Sequence, residues 1–525
     1  MAKQKKKPKK VLGDHKQQGK VFTPPIITAL SDRLKFTKWS DDLLPNVVWI
    51  GMLFDALDEK RAVYVCENFV DVVKNILGPD NKKILSFIPE YYDIKDEQAK
   101  RIKKLLLDKG ILDELQKSLY PLVRLYRECP LKFLYDSEDY IKHKTNIEKS
   151  LATMKRVVKN IIDRRSRESM FVQTTAVYII GITGRLKIVK GQSLGNIEAI
   201  KDYPDTDESR MVASGIRAAL GGIRGLNKNA ESVKWCTYFW QHGYEISVCE
   251  IQKPLFMELS KKQKKSLDKI SNIVRGYQEQ LFKEVEGLWS KIKIDISNPI
   301  KDEVLGGLIA RQARLASVII SNDILWTLDL GRIILRCMVD THITLAWLIK
   351  KGKEEDYDNF IEYGLGQEKL LLEHLKIRID KSDSEFKNKS DEIEERKNWV
   401  NSQLLTDFLP VNVGNWITKN VRKMAEEADC IDIYNLSYTP FSTAVHGMWN
   451  TLARINLKFC INPLHKFHRI PSLEEPPIYF GIIIQAAEIM GLSFSEWLTS
   501  KGTKSFTPTS SEKLIKEMKN ILSGL

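Results

Sequence analysis

The sequence predicts an all-α protein, and three observations carry that expectation. Apolar residues return every three to four positions through one segment after another, from about residue 41 to residue 523. No segment shows the sustained period-two alternation, rich in β-branched residues, that a sheet requires. The helical segments are punctuated by residues that start and stop helices, such as Gly78-Pro79-Asp80-Asn81 and Gly110.

Length and composition set the frame. At 525 residues the chain exceeds the size at which a single core stops growing, roughly 250–300 residues, so more than one domain is expected. With 43% hydrophobic and 29% charged residues it can bury real cores. The net charge is +14, and residues 1–20 hold eight Lys against one Asp. This Lys-rich arm is expected to be disordered, and it either solubilises the chain or touches the phosphates of a nucleic acid. Seven cysteines (Cys66, Cys129, Cys236, Cys249, Cys337, Cys430, Cys460) are scattered without a CxxC pair and without a preceding signal peptide. That pattern points to a reducing cytosol and argues against a zinc site, so neither a metal nor another cofactor is expected. The apolar runs 170–182 and 478–492 fall short of the roughly 18–20 residues of a membrane span, so no membrane partner is expected.

In chain order, Asp41-Asp42-Leu43-Leu44-Pro45 opens a helix with acids in its first turn and Pro near its N-terminus. The following VVWIGMLFDAL is apolar all round and should be buried. Helices at about 60–77, 95–109 and 111–127 suggest an antiparallel stack. Residues 137–165 read as one helix carrying Lys142, Lys144, Lys149, Lys155, Arg156, Lys159, Arg164 and Arg165, with Arg167 just beyond. Together with the arm, this basic segment is the expected surface for RNA or another nucleic acid, the alternative being a solvated helix face. Helices at 169–182 and 206–220 follow, the second capped by Asp205 or Thr206 and closed by Gly221-Gly222. Trp235, Tyr238, Phe239, Trp240 and Tyr244 crowd residues 234–249; they either stack bases or, as the spacing of the first three favours, line a helix core.

Four lysines around Gln263, at 261–265, mark the expected boundary between a helical N-terminal domain, 21–260, and a C-terminal helical domain, 261–525. The latter begins with long helices at about 264–293 and 302–350. Shorter ones follow at about 354–379, 390–408 and 415–428. Thr439-Pro440 opens a helix expected to reach Leu457, and helices at 478–491 and 510–523 follow a loop rich in Pro and His. No repeat of 20–50 residues is visible, so a strict solenoid is unsupported. The absence of GxxxxGK[ST], HExxH, GxSxG and EF-hand patterns disfavours nucleotide hydrolysis and zinc-dependent hydrolysis.

Within 302–350, charged and titratable residues interrupt an apolar face, where burial is costly unless they are paired. Arg336 and Asp340 lie one helical turn apart and can form an ion pair. His342, six positions after Arg336, points about 240° away. An Arg that holds phosphate and a His that moves protons are the raw material of a metal-independent ribonuclease, and equally of a structural network in a bundle. On the later helix, Ser442, His446 and Asn450 recur every four residues, with Tyr438 just outside the cap. If that face meets the Arg336 helix, Arg336, Asp340, Ser442 and His446 converge in one groove. There, either His446 or His342 could act as acid or base and Arg336 could stabilise a phosphorane-like transition state. The same set could instead fix helix register without catalysis.

The segments Arg336-Cys-Met-Val-Asp340, Phe360-Ile-Glu-Tyr363-Gly364 and Tyr434 to Ser442-Thr-Ala-Val-His446-Gly447 resemble a domain of uncharacterised bacterial proteins, over roughly residues 300–460. That domain is all-helical and distantly similar to the HEPN group, which includes ribonuclease toxins of abortive infection and toxin-antitoxin systems. HEPN ribonucleases carry Arg, four to six residues, then His; Arg336 and His342 enclose five. The usual polar residue after the Arg is here Cys337. The resemblance implies a bacterial antiphage or toxin-type effector that binds RNA and cleaves it without metal, as a homodimer or with a partner subunit. A non-catalytic interaction protein of a defence complex is the competing reading. Residues 20–260 suit a sensor or docking module by analogy alone.

Overall fold

The computed structural model describes residues 15–19, 21–23, 25, 37–186, 196–226, 230–251, 261–380, 390–403, 415–502 and 509–523. Helices make up the fold, as the periodicity predicts. Residues 1–14 of the Lys-rich arm lie outside the described residues. Its end is not the disordered chain expected: Lys16–Gln18 pairs antiparallel with Val21–Thr23, turning at Gly19, whose φ of +58° suits a residue without a side chain.

The chain divides into two compact units: Met1–Gln252 with Phe459–Arg469, and Lys253–Lys458 with Ile470–Leu525. The excursion of Phe459–Arg469 into the first unit has no counterpart in the sequence pattern, which divides the chain once, at 260. The lysines at 261–265 stand at the start of a helix.

The first unit contains α1 (Leu44–Ala56), α2 (Glu59–Leu77), α3 (Asp96–Asp108), α4 (Leu112–Leu125), α5 (Ser137–Lys142), α6 (Ile147–Ile162), α7 (Arg167–Ile182), α8 (Asp207–Leu226) and α9 (Ala230–Glu245). Helix α1, apolar but for Asn46 and Asp55, is its centre, buried along most of its length against α4, α6 and α7. Gly51 lets α6 approach: a Cβ there would stand 3.1 Å from Ile161. The single helix expected over 137–165 is two helices, because the Asn146 side chain accepts the Glu148 N–H and restarts the chain as α6. Helix α8 runs through Gly221-Gly222 instead of stopping there.

The aromatic segment forms α9. Trp235 and Phe239 are fully buried, Phe239 stacking on Tyr126 at 4.8 Å, so these rings are core. Much of the basic segment is already engaged. Lys142 pairs with Asp113, Lys155 with Glu250 and Arg156 with Asp55, while Arg164 donates to the Arg217 carbonyl.

The second unit contains α10 (Lys261–Trp289), α11 (Ile300–Ser321), α12 (Leu330–Lys351), α13 (Glu354–Asp380), α14 (Ser390–Ser402), α15 (Val421–Glu427), α16 (Thr439–Val445), α17 (Trp449–Ile455), α18 (Gly481–Ser500) and α19 (Thr509–Leu522). Helix α18 packs against α11, α12 and α19, and Trp497 stacks on Trp289 at 5.8 Å. Helix α11 is long and apolar enough to cross a membrane by composition, yet more than half of it is buried inside this protein core.

Two long helices expected here are broken. The run 302–350 is α11 and α12: Asn322 caps a short turn at Asp323–Leu325, and the Trp326 indole donates back to the Ile319 carbonyl at 2.9 Å. The helix expected from Thr439 to Leu457 is α16 and α17, because the chain turns at Gly447 with φ +56°.

Candidate functional site

Helix α12 presents Arg336 and Asp340 one turn apart, with Nη1 of Arg336 3.4 Å from a carboxylate oxygen of Asp340. Helix α16 packs across α12 and brings Ser442 to Arg336. The Arg336 Nε donates to the Ser442 hydroxyl at 2.9 Å, and the guanidinium carbon stands 3.2 Å from the centre of the Tyr438 ring. Tyr438 stacks in turn on Tyr434 at 4.7 Å. The guanidinium is therefore fixed in plane and direction by a hydroxyl, a ring and a carboxylate. Burial pushes the Tyr438 phenol up, and Arg336 partly offsets that.

Ser442 is a positioning group here. Its single proton goes to the Tyr438 carbonyl at 2.7 Å, leaving the oxygen to accept from Arg336. Arg336 retains Nη donors beyond those bonds, and its side chain is 16% exposed against 45% for Asp340.

Arg336 and His342 diverge, as the rotation between positions six apart predicts. His342 is buried on the other side of α12, with Nδ1 3.0 Å from the Ser493 hydroxyl of α18. Ser493 gives its own proton to the Ile489 carbonyl and accepts from Gln312 and His342, so His342 is a neutral donor inside the core. Burial, with a smaller push from Lys350, lowers its pKa to about 4.

His446 ends α16 one turn after Ser442 and is exposed. Asn450 does not continue that face, because the Gly447 turn puts it on α17, which is pinned to α16 by the Thr443 and Thr451 hydroxyls at 3.0 Å. One neighbour is absent from the set expected from sequence. Arg332 precedes Arg336 by one turn, and burial together with the positive charge of Arg454 on α17 makes it less basic than usual. Arg332 thus stands one turn from Arg336 and within reach of the charge of Arg454. The signal in the sequence was the four-residue spacing of Arg332 and Arg336.

Residues 302–459 match DUF5677, a family of unknown function. The match covers under a third of the chain, from α11 to the end of the short strand after α17. It therefore contains Arg332, Arg336, Asp340, Ser442, His446 and Arg454. No curated protein and no solved structure matches this chain.

A second group of side chains lies in the first unit, where the sequence reading expected no metal site. All seven cysteines are free, but the fold gathers Cys249, Cys460, His465 and His468 with their ligand atoms within 4.8 Å of one another. Scattered cysteines argue against zinc only while the fold is unknown. The local signal was Cys460, His465 and His468 within nine residues of a loop rich in His.

Proposed function

We propose that the second unit is an RNA-binding effector that grips a phosphodiester chain on Arg332, Arg336 and Arg454 and cleaves it with His446. The observation that carries this reading is Arg336, held by the Ser442 hydroxyl at 2.9 Å and the Tyr438 ring at 3.2 Å with Nη donors to spare, and Arg332 one turn before it on the same helix. Arg336, already locked by Ser442 and Tyr438, offers its remaining donors to phosphate oxygens without further ordering. In the cleavage step the RNA 2′-hydroxyl attacks the adjacent phosphorus and the bond to the 5′-oxygen breaks, leaving a 2′,3′-cyclic phosphate. His446, exposed one turn after Ser442, takes the 2′-hydroxyl proton and returns it to the departing 5′-oxygen, which leaves as a hydroxyl, and Arg336 stabilises the developing charge.

The resemblance to HEPN proteins supports an antiphage or toxin role for such an activity, in a reducing bacterial cytosol where the seven cysteines form no disulfide. The same resemblance supports a homodimer or partner subunit completing the groove. A second, structural reading is favoured by Asp340, which already balances a largely enclosed Arg336.

One set of variants separates the two. Purified chain is incubated with total RNA in magnesium-free buffer, with and without EDTA. His446→Ala should abolish cleavage and leave RNA binding and the thermal transition nearly unchanged. Arg332→Ala and Arg454→Ala should weaken binding and lower its salt slope by about 0.7 for each phosphate no longer neutralised. Under the structural reading, Arg336→Ala lowers stability by a few kcal/mol and no variant changes RNA. RNA left intact and unbound by the wild-type chain would sink the effector reading.

A further inference from the structure

We infer that Cys249, Cys460, His465 and His468 bind a structural zinc ion in the first unit. This rests on no part of the RNA reading. A tetrahedral zinc ion, with Zn–S of about 2.3 Å and Zn–N of about 2.0–2.1 Å, holds sulfur and nitrogen about 3.5 Å apart. The Cys249 sulfur lies 3.5 Å from His465 Nδ1 and 3.3 Å from His468 Nε2, and the Cys460 sulfur lies 3.4 Å from His465 Nδ1. Two sulfurs thus converge on one imidazole nitrogen at ligand spacing.

The surroundings fix that nitrogen as an acceptor. The Ser247 hydroxyl gives its proton to the Gly243 carbonyl at 2.8 Å and accepts from Asn462 Nδ2 at 3.0 Å. Its 2.9 Å approach to His465 Nε2 is then an N–H donated by the imidazole. The Nδ1 lone pair is left facing both sulfurs, which is the tautomer a metal ligand requires, held by a hydrogen bond on the opposite nitrogen.

The backbone is shaped to the same end. Cys460 N–H donates to the His468 carbonyl at 2.8 Å, closing a knuckle that carries three of the four ligands. Inside it Lys466 and Phe467 both hold left-handed φ, +55° and +51°, which is unfavourable for residues with side chains. Ile461 N–H donates to the Glu250 carbonyl at 2.7 Å, and an antiparallel bridge joins Ile251 to Cys460, so Cys249 is delivered beside the knuckle.

Binding releases the two thiol protons to solvent, and two thiolates with two neutral imidazoles cancel the charge of Zn²⁺, which suits a half-buried site. Four protein ligands fill a tetrahedral shell, so the ion staples and does not catalyse. It ties residues 216 positions apart, fastening Phe459–Arg469 within the first unit.

Elemental analysis of the full chain, purified without a polyhistidine tag, tests this. A single zinc ion per chain is expected, lost in Cys460→Ser and His468→Ala and kept in Cys129→Ser, whose thiol is buried outside the cluster. Ser247→Ala should weaken zinc binding by about 10- to 100-fold. Should the ligand variants fail to fold, Co²⁺ loaded into the wild-type chain gives the same answer through sulfur-to-cobalt charge-transfer bands and the intense visible bands of tetrahedral cobalt. A wild-type chain that carries no zinc and takes up neither metal on titration overturns the inference. So does a Cys249–Cys460 disulfide in its place, or full zinc retention by Cys249→Ser and His468→Ala combined.

Discussion

Arg336 and His342 stand six positions apart on α12, and helical rotation alone sends them to different surroundings. Arg336 meets Tyr438 and Ser442; His342 enters the core beside Ser493. The burial of His342 has a consequence for pH. Its folded pKa of about 4 lies below the ordinary 6.5, so the unfolded chain binds a proton more readily between those values. Stability is therefore complete above about pH 6.5 and falls as pH drops toward 4, by roughly 3 kcal/mol from this residue. Urea denaturation of wild type and His342→Gln across that range should show the wild-type slope flattened in the variant; parallel curves would mean the imidazole titrates in the folded state. The Arg336–Asp340 pair was legible from four-residue spacing, and so was the divergence of His342. The zinc cluster was legible only in part: Cys460, His465 and His468 lie within nine residues, but Cys249 lies too far from them in sequence for any local pattern to join it.

At the scale of elements, most helices were readable because apolar spacing survives in sequence whatever the helix packs against. The errors fall at breaks. The run 302–350 keeps its periodicity across residues 322–329, but Asn322 and Trp326 make side-chain bonds to backbone that end α11 and set the entry to α12. The same connection leaves no room at Gly331, where a Cβ would lie 2.4 Å from the Leu325 carbonyl oxygen and 2.9 Å from Ile482. The obstacle is backbone on one side and a buried side chain on the other, so neither yields easily. Gly331→Ala should cost about 1–3 kcal/mol of stability and so lower the urea midpoint, whereas Gly307→Ala, in open space on α11, should not. Equal midpoints for the two variants would show that the connection can shift.

For the whole molecule, composition suggests two sources of positive charge for a nucleic-acid partner, and they differ in the carboxylates near them in the fold or in the sequence. In the basic segment Lys142, Lys155 and Arg156 already have carboxylate partners, so an incoming phosphate must displace Asp113, Glu250 or Asp55. The arm faces no such competition in its own sequence: residues 1–14 carry Lys3, Lys5, Lys6, Lys7, Lys9 and Lys10 against Asp14. Charge that is free to condense on a polyanion appears in the salt dependence of binding, because each phosphate neutralised on a single strand releases counterions. If the chain binds RNA as proposed, deleting residues 1–14 should reduce the slope of log affinity against log salt by about 0.7 for every phosphate given up. Lys142→Ala, Lys155→Ala and Arg156→Ala should leave that slope nearly unchanged. Fluorescence anisotropy with a single-stranded RNA across a KCl series measures both. An unchanged slope on deletion would make the arm a solubilising terminus, and a lower slope in the three substitutions would return the interface to α5 and α6.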